Sequence, residues 1–389
     1  MKLRYCLVTL LLLLLSQNDA SARVILDKGI SYAELDGKVD LRFGYAFNKD
    51  SFNTKPRDKI SSYSYLRFLY LQQVYPNTQM GVNARVGVSS IANMRALDIE
   101  KLDMEEWYFI IKNQGLGSIE YGKKSLVSQS MLINTSKIHV AAGGINGHWT
   151  NYANLRGSKG TGAGYDKDRV FWVKPNIYSN YNGLELKLKQ LAISYISPEI
   201  YNFQLGFSYV PGKNNLHYSN LVAAGFSYKN SLSDDINLTA ALTGEFAKEN
   251  LTDCSDGTCE GYKCLNQLLH WNVGLKLKLF DLDCIASYGN GGKSGQKCNP
   301  ETNNTYYMNA GVAYRSDSCK LSLTYFNSGR NIASKGTNKL TSYALSLENS
   351  FFMGTSYYLD IVKFNAAEPI EESNNNSGYV LLAGLKLSF

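Results

Sequence analysis

The sequence predicts an all-β chain, a transmembrane antiparallel β-barrel of about sixteen strands. Three observations predict it. The chain ends inside strand-like alternation: Tyr379, Leu381, Ala383, Leu385, Leu387 and Phe389 share one parity, while Gly384, Lys386 and Ser388 hold the other. Period two puts the two sets on opposite faces of a strand. The same alternation recurs in segments of about ten residues, the length a tilted strand needs to cross a bilayer. Finally, short turns and long polar stretches alternate as connections, which sorts them onto two sides of the sheet.

The elements follow in order. Lys2 and Arg4, an apolar run over 7–15 and Ala20-Ser21-Ala22 read as a secretory leader spanning 1–22, with cleavage after Ala22 and one barrel domain over 23–389. The apolar run is too short for a spanning helix, and no later stretch is long enough. In the first predicted strand, 34–47, Leu35, Val39, Leu41, Phe43, Tyr45 and Phe47 oppose Glu34, Asp36, Lys38, Asp40 and Arg42. Five charges on one face would each cost about 2–4 kcal/mol in lipid, so that face must meet water.

Alternation continues through 80–88, 203–209, 236–243, 269–279, 306–314 and 341–347. Parity is mixed over 61–75, where Leu66, Phe68 and Tyr70 oppose Leu69 and Leu71. A parity change between Leu184 and Tyr195 suggests a bulge. Short turns are expected at 76–77, 113–117, 197–199, 233–235, 280–281, 316–318 and 349–350. Long loops are expected over 48–60, 90–103, 124–183, 211–219, 248–266, 289–304, 328–338 and 365–377. Eight long loops, each closing one hairpin, give about sixteen strands.

Composition agrees. Tyr 28 and Phe 16 are high and Pro 7 is low, while mean hydropathy is only slightly negative. A barrel strand gives half its residues to lipid and half to water, and aromatic girdles at both interfaces absorb tyrosine. Formal charge is +7, of which the leader holds a net +1, leaving +6. No basic cluster interleaves with aromatics on one element, which argues against nucleic acid as a partner.

On these residues the chain resembles the Gram-negative general porin family. The stretch 191–209, LAISYISPEIYNFQLGFSY, is similar to the family's sixth strand, Ser-Pro turn and seventh strand. Gly115-Leu-Gly-Ser-Ile-Glu-Tyr-Gly-Lys-Lys124 resembles the fourth turn and fifth strand, with Lys123 where the family usually has Arg. The opening 35–44 and the terminal strand match as well. The resemblance implies a homotrimer of sixteen-stranded barrels in the outer membrane of a Gram-negative bacterium. It also implies contact with outer-membrane lipid, passage of small hydrophilic solutes and ions, and no cofactor. In the family the terminal aromatic, here Phe389, belongs to the signal read by the barrel-assembly machinery. The third loop, here 124–183, folds inward and narrows the channel.

A channel of this kind performs no bond chemistry; its lining sets size and charge preference. Lys38, Arg42 and Arg85 lie on water-facing parities, with Arg67 a candidate for the same basic wall. In the family such a wall faces acids on the inward loop. Here 125–165 contains no Asp or Glu and instead carries Lys137, His139, His148, Arg156 and Lys159. Basic groups on both sides favour anions; the competing reading is compensation by Asp36, Asp40 and Glu120. The alternative functions are a substrate-specific channel or a surface-exposed, adhesin-like barrel.

Cys254, Cys259, Cys264 and Cys298 fall in two neighbouring long loops, and disulfides are expected among them, with the pairing open. A zinc site is the sharper alternative, but the spacing matches no usual Cys-x-x-Cys pair. Cys284 and Cys319, one strand apart, are too distant to bridge and are expected as free, lipid-facing thiols. His270 is the one histidine on a predicted strand; a lone lumen histidine is more often a wall residue than half of a hydrolase pair. The Gly-rich run 157–164 lacks the Lys-Ser/Thr of a phosphate loop.

Overall fold

The computed structural model describes residues 24–27, 29–48, 58–92, 103–138, 149, 152–153, 189–213, 218–249, 267–294, 305–331, 336–352, 354–367 and 375–389. Among them lie seventeen strands: β1 Val24–Asp27, β2 Ser31–Phe47, β3 Asp58–Tyr75, β4 Thr78–Ala92, β5 Asp103–Asn113 and β6 Gly117–Ser125. Then come β7 Lys189–Ile196, β8 Phe203–Lys213, β9 Tyr218–Ser233, β10 Ile236–Glu249, β11 Leu268–Leu279 and β12 Leu282–Gly292. The last five are β13 Thr305–Arg315, β14 Cys319–Asn331, β15 Thr337–Phe352, β16 Thr355–Ala367 and β17 Asn376–Ser388. A one-turn helix α1, Val127–Ser130, and a 3-10 turn, Thr135–Lys137, follow β6.

From β2 to β17 each strand pairs antiparallel with its chain neighbours, and β17 pairs with β2, Tyr379 opposite Phe47 through Ser388 opposite Lys38. The result is a closed sixteen-stranded antiparallel barrel. Closure leaves no open sheet edge for lipid to meet. The sequence did not foreshadow β1. It pairs with residues 32–35 of β2, beyond the point where β17 stops, so the two chain-terminal strands lie end to end along one edge of β2.

Parity decides which way side chains point. Leu41, Phe43, Leu275, Leu323, Leu345 and Leu359 stand on the exposed outer surface, while Asp40, Asn272, Ser322, Ser346 and Asp360 are buried inside. Aromatic rings gather near both rims. Phe203 lies 5.3 Å from Phe226 and Phe351 lies 5.9 Å from Tyr357 at the short-turn end. Tyr45 lies 4.7 Å from Phe47 near the long-loop end.

The expected short turns hold with one displacement. Strand β15 runs through Asn349 and Ser350, which pair with Tyr357 and Ser356, so the turn comes later, at Gly354. Gly354 has a φ of 68°, which favours glycine. The mixed parity of 61–75 resolves into one strand, β3, whose odd residues face inward; Leu71 packs toward Gly81 of β4. β7 is described from Lys189 and keeps its register with β6 through Ile196, without a bulge; residues 184–188 of the stretch where one was expected lie outside the described residues.

Candidate functional site

The barrel interior is built from the inward parity of each strand together with the segment after β6. That segment lies against the inner wall at three places. Leu126 and Val127 pack with Ala192, Val210, Leu221, Ala223 and Leu268. The Val127 amide donates to Ser208 Oγ at 3.0 Å, and Ser128 Oγ donates to Glu245 at 2.5 Å. Further along, Ile133 and Ile138 pack against Ala241, Ile285 and Ala313, and the Thr135 amide donates to Asn309 Oδ1 at 2.9 Å. Beyond it, Trp149 is buried with its ring 5.3 Å from Phe364, and Tyr152 Oη shares a 2.6 Å hydrogen bond with Ser61 Oγ. Burial holds the Tyr152 phenol above its usual range.

Glycines on the wall make this close approach feasible. A Cβ on Gly274 would run into the Ile133 carbonyl oxygen, one on Gly44 into the Tyr152 ring, and one on Gly225 into Met131 Sδ. The inward course expected of the third loop is therefore present at the described residues 126–138, 149 and 152–153. Sequence reasoning missed the inward-facing apolar seats, Phe364, Val380 and Leu382 among them, because inward parity was read as water-facing throughout.

The basic residues expected on the first strands do face inward, but each has a carboxylate partner. Arg42 meets Asp40 at 2.6 Å and Lys38 lies 3.8 Å from the same carboxylate, whose other oxygen accepts from Tyr358 at 2.8 Å. Arg67 bridges Glu34 and Asp36, each at 2.6 Å. Arg85 contacts Glu105 at 2.9 Å and lies over the Tyr65 ring at 3.8 Å. A bulge in β5 beside Arg85 turns the successive acids Glu105 and Glu106 toward this wall. Glu120 pairs with Lys124, which sequence reasoning did not count among the lining residues. This wall is a lattice of paired charges, as the compensation reading held, with Glu34, Glu105 and Glu106 added to it.

The excess of positive charge stands elsewhere. Lys137 stands on the 3-10 turn, and Lys229 of β9 and Lys276 of β11 both pair with Thr239 of β10. These two ammoniums, after the cost of burial itself, help hold its own below the usual lysine range. Arg315 of β13 donates from Nη2 to the Lys137 and Ile138 carbonyls at 3.3 and 3.4 Å. Asp283 of β12 meets both Lys276 at 3.1 Å and Arg315 at 3.2 Å. Lys229, Lys276 and Arg315 all lie within a few residues of short turns; inward parity near a strand end is the signal that could have found them.

Arg156 and Lys159 lie outside the described residues, as do His139, His148 and Cys254, Cys259, Cys264 and Cys298. Cys284 and Cys319 are free, and Cys284 lines an outward hollow with Leu275, Leu277 and Val312. His270 is buried in the wall, its ring 6.1 Å from Tyr307. No cluster of three metal-ligating side chains occurs among the described residues.

Comparison with known proteins agrees with this geometry. An uncharacterised protein of Rickettsia prowazekii is 26% identical over 335 residues, covering 70% of this chain and 74% of that one. One from Rickettsia bellii is 27% identical over 333 residues, covering 69% and 74%. Among solved structures, OmpF of Salmonella typhi in complex with daunomycin superposes with a TM-score of 0.60 at 11% identity, covering 94% of this chain and 100% of that one. The trimer form of OmpT, an outer-membrane protein of Vibrio cholerae, gives 0.58 at 12% identity, with 92% and 100% covered. An anion-selective porin from Comamonas acidovorans gives 0.57 at 12% identity, also with 92% and 100% covered. At such identities these structures share the fold alone. The family model described as Gram-negative porin matches residues 16–366, most of the chain, and the protein belongs to that family.

Proposed function

We propose that the protein is a passive outer-membrane diffusion channel for small hydrophilic solutes and ions, working as a homotrimer and performing no bond chemistry. One observation carries the reading: a closed barrel with an apolar exterior encloses a charged interior that a chain segment lines. Lipid outside and water inside is the arrangement this partition of side chains stabilises. Residues 1–22 are read as the leader, so the secreted chain should begin at Arg23, which N-terminal sequencing of outer-membrane material checks. Phe389 is read as part of the assembly signal.

Anion preference is retained, on a different basis from the one the sequence offered. Lys38, Arg42, Arg67 and Arg85 are matched by acids on their own wall. The cationic excess is at Lys137, Lys229, Lys276 and Arg315, with Asp283 among them. Rings of unbalanced Lys and Arg raise the local anion concentration.

The test is a planar bilayer with a salt gradient. Stepwise, ohmic conductance with a reversal potential toward that of chloride is the expected result. Conductance that favours potassium would remove the anion preference. Heat-modifiable, correctly inserted barrels that pass no current would instead support the plugged, adhesin-like alternative. A conductance blocked by one solute at low concentration would support the substrate-specific one.

A further inference from the structure

We propose that the outer face of β11–β16 docks one acidic lipid of the leaflet on the long-loop side, its headgroup at Lys363 and an acyl chain in the hollow beside Cys284. The inference goes beyond the channel reading and needs only a barrel seated in a membrane.

The hollow follows from register. Ala286 of β12 stands opposite Ala310 of β13, and the pair is flanked by Leu275 of β11 and Tyr325 of β14. Two small side chains between two large ones leave an open depression of about 560 Å³ on the outward parity, within the size range of small-molecule sites. Toward the short turns it continues past Cys284. At its far margin the Tyr325 and Tyr343 rings lie 5.1 Å apart. A chain lying in such a depression touches protein at its sides as well as beneath, which a flat run of lipid-facing strands does not offer.

Lys363 adjoins that margin. It pairs with Tyr343 on one side and Tyr379 on the other, and it is exposed on the same parity as Leu359 and Ile361. Its ammonium lies 5.9 Å from the centre of the Tyr379 ring. Among the described residues no carboxylate pairs with it. A lysine on a lipid-facing parity is costly unless its stem carries the charge to the headgroups and a counter-charge meets it there. Lys123, also on the outward parity, has such a partner in Asp103 at 3.4 Å. Lys363 leaves the role to the membrane.

The order of these features fits one orientation of lipid. Next to Lys363 on the long-loop side the outward parity turns polar: Asn365 pairs with Thr341, and Asn327 Nδ2 donates to Thr341 Oγ1 at 2.9 Å. From the long loops inward come hydrogen-bonding side chains, then the ammonium with its tyrosines, then the apolar hollow. A lipid of that leaflet presents polar headgroup, anionic charge and chain in the same sequence.

Native mass spectrometry tests this on detergent-released, heat-modifiable protein offered equal amounts of phosphatidylglycerol and phosphatidylcholine with the same chains. The native protein should retain one phosphatidylglycerol per barrel in preference to phosphatidylcholine. Lys363→Gln should cut that preference roughly fivefold, while Lys123→Gln leaves it unchanged. Ala310→Trp, which fills the hollow from the outward parity, should lower retention of both lipids. Equal retention of the two lipids by the native protein, or an undiminished preference in Lys363→Gln, overturns the proposal. Unchanged retention in Ala310→Trp overturns the hollow as the seat of the chain. Oligomers that Ala310→Trp splits into single barrels, with no lipid released, would assign the face to a second copy and overturn it as well. None of these readouts uses current, so a barrel that conducts nothing would sink the channel reading and leave this one standing.

Discussion

Removing Phe389 should lower the yield of closed barrel by an order of magnitude or more, read as the heat-modifiable fraction in outer membranes. Phe389 is only 8% exposed although it is the last residue. Its amide donates to the Gly37 carbonyl at 3.0 Å, and its carbonyl accepts from the Gly37 amide at 2.8 Å. Its ring covers Gly37 so closely that a Cβ there would run into it. Truncating a buried Phe costs about 3–5 kcal/mol, and each lost main-chain bond about 1 kcal/mol more. These losses fall at the seam where β17 ends and β1 begins along β2, so they act on closure itself. Gly37→Leu should reproduce the defect while leaving the terminal strand intact. Poor refolding of Gly37→Leu from urea into detergent, with no assembly machinery present, would place the effect in the seam. Normal refolding of both variants in detergent would refute a physical lock and leave only a recognition signal.

The barrel was legible because its signal is repeated. Each strand states the same period-two pattern, and errors such as the turn placed at 349–350 move an element by a few residues without changing the topology. β1 was not legible: four residues carry too little periodicity, and they form a strand only because β17 leaves the end of β2 uncovered. The site was read half correctly. Parity gave Lys38, Arg42, Arg67 and Arg85 as inward, with Asp36 and Asp40 as acids on the same wall, but not the partners Glu34 and Glu105, since register between distant segments is invisible in one sequence. Glu34 reaches Arg67, and Glu105 reaches Arg85 only through a bulge. The seat of Lys137 beside Arg315 depends on how an irregular loop lies on the wall, which no local pattern encodes.

Gly274→Val should free the inward segment and raise single-channel conductance severalfold, while the thermal stability of the barrel stays near that of the native protein. Gly274 faces the Ile133 carbonyl, and an added Cβ would overlap main-chain atoms, which cannot swing away as a side-chain tip can. Either the loop or the wall must move. The wall is β11, bonded along its length to β10 and β12, and a β-branched residue suits a strand. The loop is held here by one amide to Asn309, weak bonds from Arg315 and a small apolar seat, each bond contributing about 1 kcal/mol net. The loop therefore yields. Gly225→Ala makes the contrasting case: its Cβ would meet Met131 Sδ, part of a flexible thioether that adjusts at little cost, so conductance should change little. Native conductance in Gly274→Val would show that the segment does not narrow the pore, and a large rise in Gly225→Ala would show that the wall as a whole is too delicate to isolate one contact.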